Sequence, residues 1–215
     1  MRNVIVTGVA RADLGVVDQL AELGVATVHE AIGRAGYLGP GLRPIQDGVR
    51  TGGTAVTALC WPGDNLMIHA AVEQCRAGDL LVVTATSPCT DGMFGELLAT
   101  SLAARGVRGL VIEAGVRDVA ELRAMGFPVW SAAVSAQGTV KETAGSVNVP
   151  VSIGGQIVRP GDAIVADDDG VVCVPRAEVG QALADGQLGL DLYGLRDKLA
   201  ARGVEYVAAG DEDCR

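Results

Sequence analysis

Between residues 90 and 118 lie side chains whose types and spacing suit the handling of an oxo acid. Arg117 offers a planar fork to a carboxylate or an enolate oxygen, and its neighbour Asp118 offers a hard oxygen to a divalent cation. Glu96 supplies a second carboxylate. The loop Thr90–Leu97 (TDGMFGEL) carries Gly92 and Gly95 just before a helix start, where amides turned toward a ligand favour a carboxylate or phosphate. Taken alone, Arg117-Asp118 also reads as a helix-capping ion pair, and the loop as a plain tight connection.

These residues need a scaffold, and the flanking pattern provides one. Leu80–Thr84 reads as an apolar strand, Phe94–Ala104 as a helix stopped by Arg105-Gly106, and Gly109–Glu113 as a second strand, which makes a βαβ unit. In open α/β sheets, ligands bind beyond the C-terminal ends of such strands, where the loop and Arg117-Asp118 fall. Upstream, Asp13–Leu23 and Thr27–Arg34 read as helices, the second with Thr27 and Glu30 as a capping box. Ala55–Leu59 reads as a strand, and Asp64–Arg76 as a helix in which Asn65 and His69 share a face, either bonded to each other or lining a cleft. Asp118–Met125 is a short helix, and the chain from Pro128 to Val174 is mostly strand and turn. Leu183–Leu192 reads as a connector and Asp191–Arg202 as a C-terminal helix.

Several chemistries are disfavoured. The chain has 215 residues and a net charge of -9, with its 17 basic residues scattered singly, so a nucleic-acid partner is not expected. There is no phosphate-binding loop of the Gly-x-x-x-x-Gly-Lys type and no Gly-x-Ser-x-Gly elbow, and only His29 and His69 are available as imidazole bases. The two lysines, Lys141 and Lys198, lie in polar settings, which argues against a Schiff-base enzyme. The five cysteines include no Cys-x-x-Cys pair and read as reduced thiols of a cytoplasmic protein. No apolar run is long enough for a membrane span. Asp167-Asp168-Asp169-Gly170 lies between two apolar runs and reads as a hairpin turn rather than a ligand cluster.

Ordered blocks along nearly the whole chain carry a resemblance. They are GDNLMIH (Gly63–His69), CRAGDLLVV (Cys75–Val83), the long run Thr86–Asp118, MGFPVW (Met125–Trp130), GSVNVPV (Gly145–Val151), PGDAIVADDDGVVCVPR (Pro160–Arg176) and LGLDLYGLR (Leu188–Arg196). In these blocks the sequence resembles the RraA-like family, and within it the 4-hydroxy-4-methyl-2-oxoglutarate/4-carboxy-4-hydroxy-2-oxoadipate aldolases. That family's aldolase signature is an acidic residue, twenty intervening residues, then Arg-Asp. Here it is Glu96, residues 97–116, then Arg117-Asp118.

The resemblance implies an α/β fold, a single layered β/β/α domain of the swivelling phosphohistidine-domain type over residues 1–187, with a helical arm over 188–215. It implies metal-dependent cleavage of a 4-hydroxy-2-oxo acid to pyruvate and a second 2-oxo acid, with oxaloacetate decarboxylation as a side activity. Asp118 would bind Mg2+ or Mn2+ and Glu96 would hold a metal-bound water. Arg117 and the amides of Gly92, Met93, Phe94, Gly95, Glu96 and Leu97 would grip the pyruvyl end, with Asn65 and His69 beside it. Glu30 would reach the site of a neighbouring subunit in a homotrimer or hexamer. The chain departs from the family at Ala177–Gln187, several helical turns shorter than usual, where the glutamate that completes a neighbour's site is not identifiable. The family also contains regulators that bind a ribonuclease assembly and lack the acidic/Arg-Asp signature, which is the alternative reading.

Overall fold

The β-branched runs become the middle of a mixed sheet, and the amphipathic segments become helices laid against it. A computed structural model describes residues 3–189 and 199–203. Its elements in chain order are α1 (Leu14–Leu23), α2 (Val25–Ala31), β1 (Arg43–Pro44), β2 (Thr51–Cys60), α3 (Leu66–Val72), β3 (Asp79–Ala85), β4 (Gly92–Phe94), α4 (Glu96–Ala103) and β5 (Leu110–Val116). After them come α5 (Val119–Ala124), β6 (Val129–Val134), β7 (Ser146–Val147), β8 (Val151–Ile153), β9 (Gln156–Val158), β10 (Ala163–Asp167), β11 (Gly170–Val174) and α6 (Val179–Gly189).

The main sheet runs β1-β6-β5-β3-β2-β10-β11, with β4 added to β5 and β7 to β2. Strands β2, β3, β5 and β6 are parallel, and α3, α4 and α5 are the successive connections between them. Residues of all three helices share one core with this sheet, including Ile68, Leu102, Leu122 and Ile112. A second core, with Leu80, Val111 and Trp130, is covered by the β8-β9 hairpin. A third joins α1, α2 and α6 to β10 and β11 through Val17, Leu20, Val28, Val165 and Val172. The result is a mixed α/β domain of helix and strand layers, as the resemblance implies.

Three expectations need correction. The Thr27/Glu30 capping box does not form: α2 starts two residues earlier, and its first amide, Val25 N–H, donates to Asp167 Oδ2 at 2.9 Å. Asp167 thus has a helix-capping role beyond the β10-β11 turn, which does form with Asp167 opposite Gly170. The α3 helix covers only Leu66–Val72 of the expected Asp64–Arg76. Leu183–Leu192 is not a connector as far as Gly189, because α6 packs Val179, Ala182 and Leu183 on the α1/α2 core. Of the expected helix Asp191–Arg202, residues 191–198 lie outside the described residues, 199–200 are helical and 201–202 form a turn.

The described cysteines, Cys60, Cys75, Cys89 and Cys173, are free. Burial pushes the Cys60 and Cys75 thiols up to about 12, so they are inert core groups. No helix among the described residues is long and apolar enough to cross a membrane.

Candidate active site

The site is built where β5 ends. Strand β4 joins β5 in parallel, and Arg117 N–H donates to the Phe94 carbonyl at 2.8 Å, which fixes Arg117 beside the start of α4. Asp118 sits in the left-handed region (φ 56°, ψ 40°), a conformation that aspartate tolerates better than most residues. Its Oδ2 accepts the Glu96 N–H at 3.1 Å and so caps α4. Gly95 makes this approach possible, because a Cβ there would overlap the Asp118 carboxylate. The first helical bond of α4 runs from Ala99 N–H to the Gly95 carbonyl, which leaves the Leu97 and Leu98 amides without a partner inside the helix. These amides and the positive end of the helix favour an anion.

A cleft of about 80 Å³ opens over this corner. Its walls are Asn65 and His69, Gly92, Met93 and Phe94, Gly95, Leu97 and Leu98, Arg117 and Asp118, and Lys141. Arg117 Nε lies 3.8 Å from Asp118 Oδ2, and both side chains are partly exposed. Asn65 is buried and its side chain does not bond that of His69; its Nδ2 donates to the Met93 carbonyl at 2.9 Å, and its Oδ1 has no partner among the described residues. A buried acceptor left unpaired costs about 1–3 kcal/mol, so Asn65 Oδ1 is primed to take a donor from whatever enters. Burial, and after it the charge of Lys141, lowers the pKa of His69, so its imidazole is neutral at pH 7.

The structure therefore brings together Asn65, His69, Gly92, Met93, Phe94, Gly95, Leu97, Arg117 and Asp118. Glu96 contributes its amide at the corner, while its exposed side chain is not part of the cleft wall. Glu30 is elsewhere: it is exposed on α2, which packs on α6 and β11, and it takes no part in its own chain's cleft. The picture of a row of amides turned to the ligand narrows. The Gly92 amide donates to the Gln137 carbonyl and the Met93 amide to the Asp91 carbonyl, so neither is free for a ligand. Lys141 and Leu98 were not anticipated. Leu98 follows from the helix start, but Lys141 arrives on a distant loop with no local signal.

The donor set suits a hard, strongly hydrated dication. Asp118 is an oxygen donor at the α4 start, Asn65 adds an unpaired amide oxygen, and the exposed Glu96 carboxylate stands outside the cleft wall, where it could act only through water. Among the described residues no group of three or more His, Cys, Asp or Glu converges, as a zinc site would require. Mg2+ and Mn2+ accept one or two carboxylates and keep several waters, which fits so sparse a set.

Residues 17–173 match the RraA-like family, described as Aldolase/RraA, and the chain belongs to that family. Among named relatives, a protein of Halalkalibacterium halodurans called "Putative 4-hydroxy-4-methyl-2-oxoglutarate aldolase" is 28% identical over 169 residues, 79% of this chain and 80% of its own. One of the same name from Burkholderia multivorans is 36% identical over 142 residues, 66% of this chain and 86% of its own. Among solved structures, Streptomyces coelicolor RraAS2, described as an unusual member of the RNase ES inhibitor RraA protein family, superposes with a TM-score of 0.74. It is 26% identical and is matched over 90% of this chain and 98% of its own.

Proposed function

We propose that the chain is a divalent-metal-dependent pyruvate aldolase. On this hypothesis it cleaves 4-hydroxy-4-methyl-2-oxoglutarate or 4-carboxy-4-hydroxy-2-oxoadipate to pyruvate and a second 2-oxo acid, and it also decarboxylates oxaloacetate. The observation that carries the reading is the convergence of Arg117, Asp118 and the open amides of α4 on one cleft. The names of the relatives support the same class of activity.

The Leu97 and Leu98 amides bind the carboxylate of the pyruvyl end. Arg117 donates to the C2 oxygen, where negative charge gathers as the bond between C3 and C4 breaks. Glu96 holds a water that takes the proton of the C4 hydroxyl, and the same route returns a proton to C3 of the enolate. Asn65 Oδ1 accepts from a hydroxyl or water in the cleft. Asp118 and, through water, Glu96 would hold Mg2+ or Mn2+, which supplies Lewis-acid polarisation of the oxo acid when bound. Loss of CO2 from oxaloacetate passes through the same enolate, so one site serves both reactions. We further propose a cytoplasmic homotrimer or hexamer in which Glu30 reaches the cleft of a neighbour.

Oxaloacetate decarboxylation with Mg2+, corrected for metal alone, tests the assignment in the wild type and in Asp118→Ala. Turnover by the wild type and its loss in a folded variant is the expected result; equal rates would remove Asp118 from the site. A second reading, a non-catalytic regulator that binds a ribonuclease or another protein, is favoured by the likeness to the Streptomyces RNase ES inhibitor homologue. It predicts no turnover by either protein.

A further inference from the structure

We propose that the groove where β6 runs past β1, at the edge of the main sheet, is a second binding site, one for a small organic dicarboxylate held by Arg43, Arg123 and Ser131. None of the groove's residues lines the cleft over α4, so this site stands apart from the oxo-acid reading.

The hollow follows from alternation along β6. Val129 packs on the helix side with Leu122 of α5, and Trp130 turns to the second core. Ser131 and Ala133 return to the helix side, where their small side chains leave space instead of filling it. Strand β1 pairs only through Pro44–Trp130 and Arg43–Ser131, so Ala132–Val134 have no strand neighbour on that side among the described residues. A groove of about 240 Å³ opens there, against about 80 Å³ for the cleft.

Two guanidinium groups line it. Arg43 is opposite Ser131 in the register, so the two side chains share one face of the sheet. The Arg43 side chain is exposed and has no hydrogen-bond or ion-pair partner among the described residues. Arg123, in the last turn of α5, donates through Nε to the Ile45 carbonyl at 2.6 Å, which anchors the group and leaves both terminal nitrogens unbonded among the described residues. Ser131 is only 5% exposed, and its hydroxyl also lacks a partner among the described residues. A hydroxyl so placed is short of a hydrogen bond that a ligand can supply. No acidic side chain is among the described residues of the lining, so the groove is a positive site in a chain of net charge -9.

The donors and the lining together select the ligand class. Each planar fork takes a carboxylate in a bidentate pair. Arg43 comes from the sheet edge and Arg123 from α5, so the two forks arrive from two elements and suit two carboxylates. Pro44, Ala133 and Val134, the last 65% exposed, offer apolar surface to the carbon chain that joins them, a surface for which an inorganic oxyanion has no use. Pockets for drug-sized ligands measure about 300–1,000 Å³, and this smaller groove suits a short chain.

The test is calorimetric titration in EDTA, which keeps metal-assisted binding in the cleft out of the signal. The probes are glutarate, pentanoate, which lacks only the second carboxylate, and sulfate. Glutarate is expected to bind the wild type at least about tenfold more tightly than either of the others. Arg43→Gln is the cleanest variant, because that side chain makes no bond within the described protein, and a melting curve checks that the fold is kept. It is expected to weaken glutarate about 10- to 100-fold and Ser131→Ala about 3- to 10-fold, while Arg117→Lys leaves the affinity unchanged. The proposal is overturned if glutarate does not bind or binds no better than pentanoate, or if sulfate equals it, which marks a general anion patch. It is equally overturned if folded Arg43→Gln keeps the wild-type affinity, or if Arg117→Lys removes binding, which puts glutarate in the cleft.

Discussion

Arg11–Asp79 and Arg117–Asp118 are the same two side chains in opposite circumstances. Asp79 is buried, and all its bonds are made: Oδ1 accepts from Arg11 Nε at 2.7 Å and Thr54 Oγ1 at 2.6 Å, Oδ2 from Arg11 Nη2 at 2.8 Å and Arg76 N–H at 2.7 Å. The hydrogen bond to Asp79 raises the pKa of Arg11 further, against the opposing effect of burial. That pair is closed and structural. Arg117 and Asp118 are partly exposed, 3.8 Å apart, and joined by no hydrogen bond. The backbone strain at Asp118 and the unpaired oxygen of Asn65 lie in the same small region. The fold thus stabilises itself with one Arg-Asp pair and leaves the other short of partners, which a ligand can supply.

This contrast can be broken from either side. Arg117→Lys should lower turnover about 10²- to 10³-fold, because a point charge does not reproduce the fork, while thermal unfolding stays where it was. Steady-state rates beside a melting curve check this. Asp79→Asn should do the reverse, costing about 3–5 kcal/mol in denaturant titrations by stranding the Arg11 charge, with activity per folded molecule unchanged. Gly95→Ala sharpens the comparison, since its methyl displaces the Asp118 carboxylate; a roughly tenfold fall in kcat/KM with a stability loss of about 1–3 kcal/mol is expected.

The smallest effect concerns Asp64. Burial works to raise its pKa, but bonds from the Leu66, Glu142 and Thr143 amides outweigh this and hold it below the ordinary 3.8. Because the folded value is the lower one, its contribution to stability is fully present above about pH 4 and is lost as pH falls through the folded value. Unfolding midpoints measured from about pH 5 down to about pH 3 should therefore drop more steeply for the wild type than for Asp64→Asn.

Much of the site was legible because its determinants are local. Arg117, Asp118, Gly92 and Gly95 lie on the two strand ends of one βαβ unit, and periodicity located that unit. Asp13 caps α1 by accepting Val16 N–H at 3.0 Å, a bond between residues three apart. What stayed hidden depends on partners far along the chain. The Val25 amide is taken by Asp167, 142 positions away, so the Thr27 box lost to a competitor that no window contains. Lys141 reaches the cleft because Asp64, more than seventy residues earlier, gathers the amides on its far side. The glycine-containing α6 is a helix because α1 and α2 give it a surface, so its own pattern was a weak guide.

The central claim is that the open Arg-Asp pair is a metal-assisted enolate site, and pyruvate release from 4-carboxy-4-hydroxy-2-oxoadipate tests it most directly. The assay is run with Mg2+ and with EDTA, on the wild type beside Arg117→Lys. The account predicts release that EDTA abolishes and that the variant loses by at least about 10²-fold. Release that survives EDTA, or a variant as fast as the wild type, would contradict it.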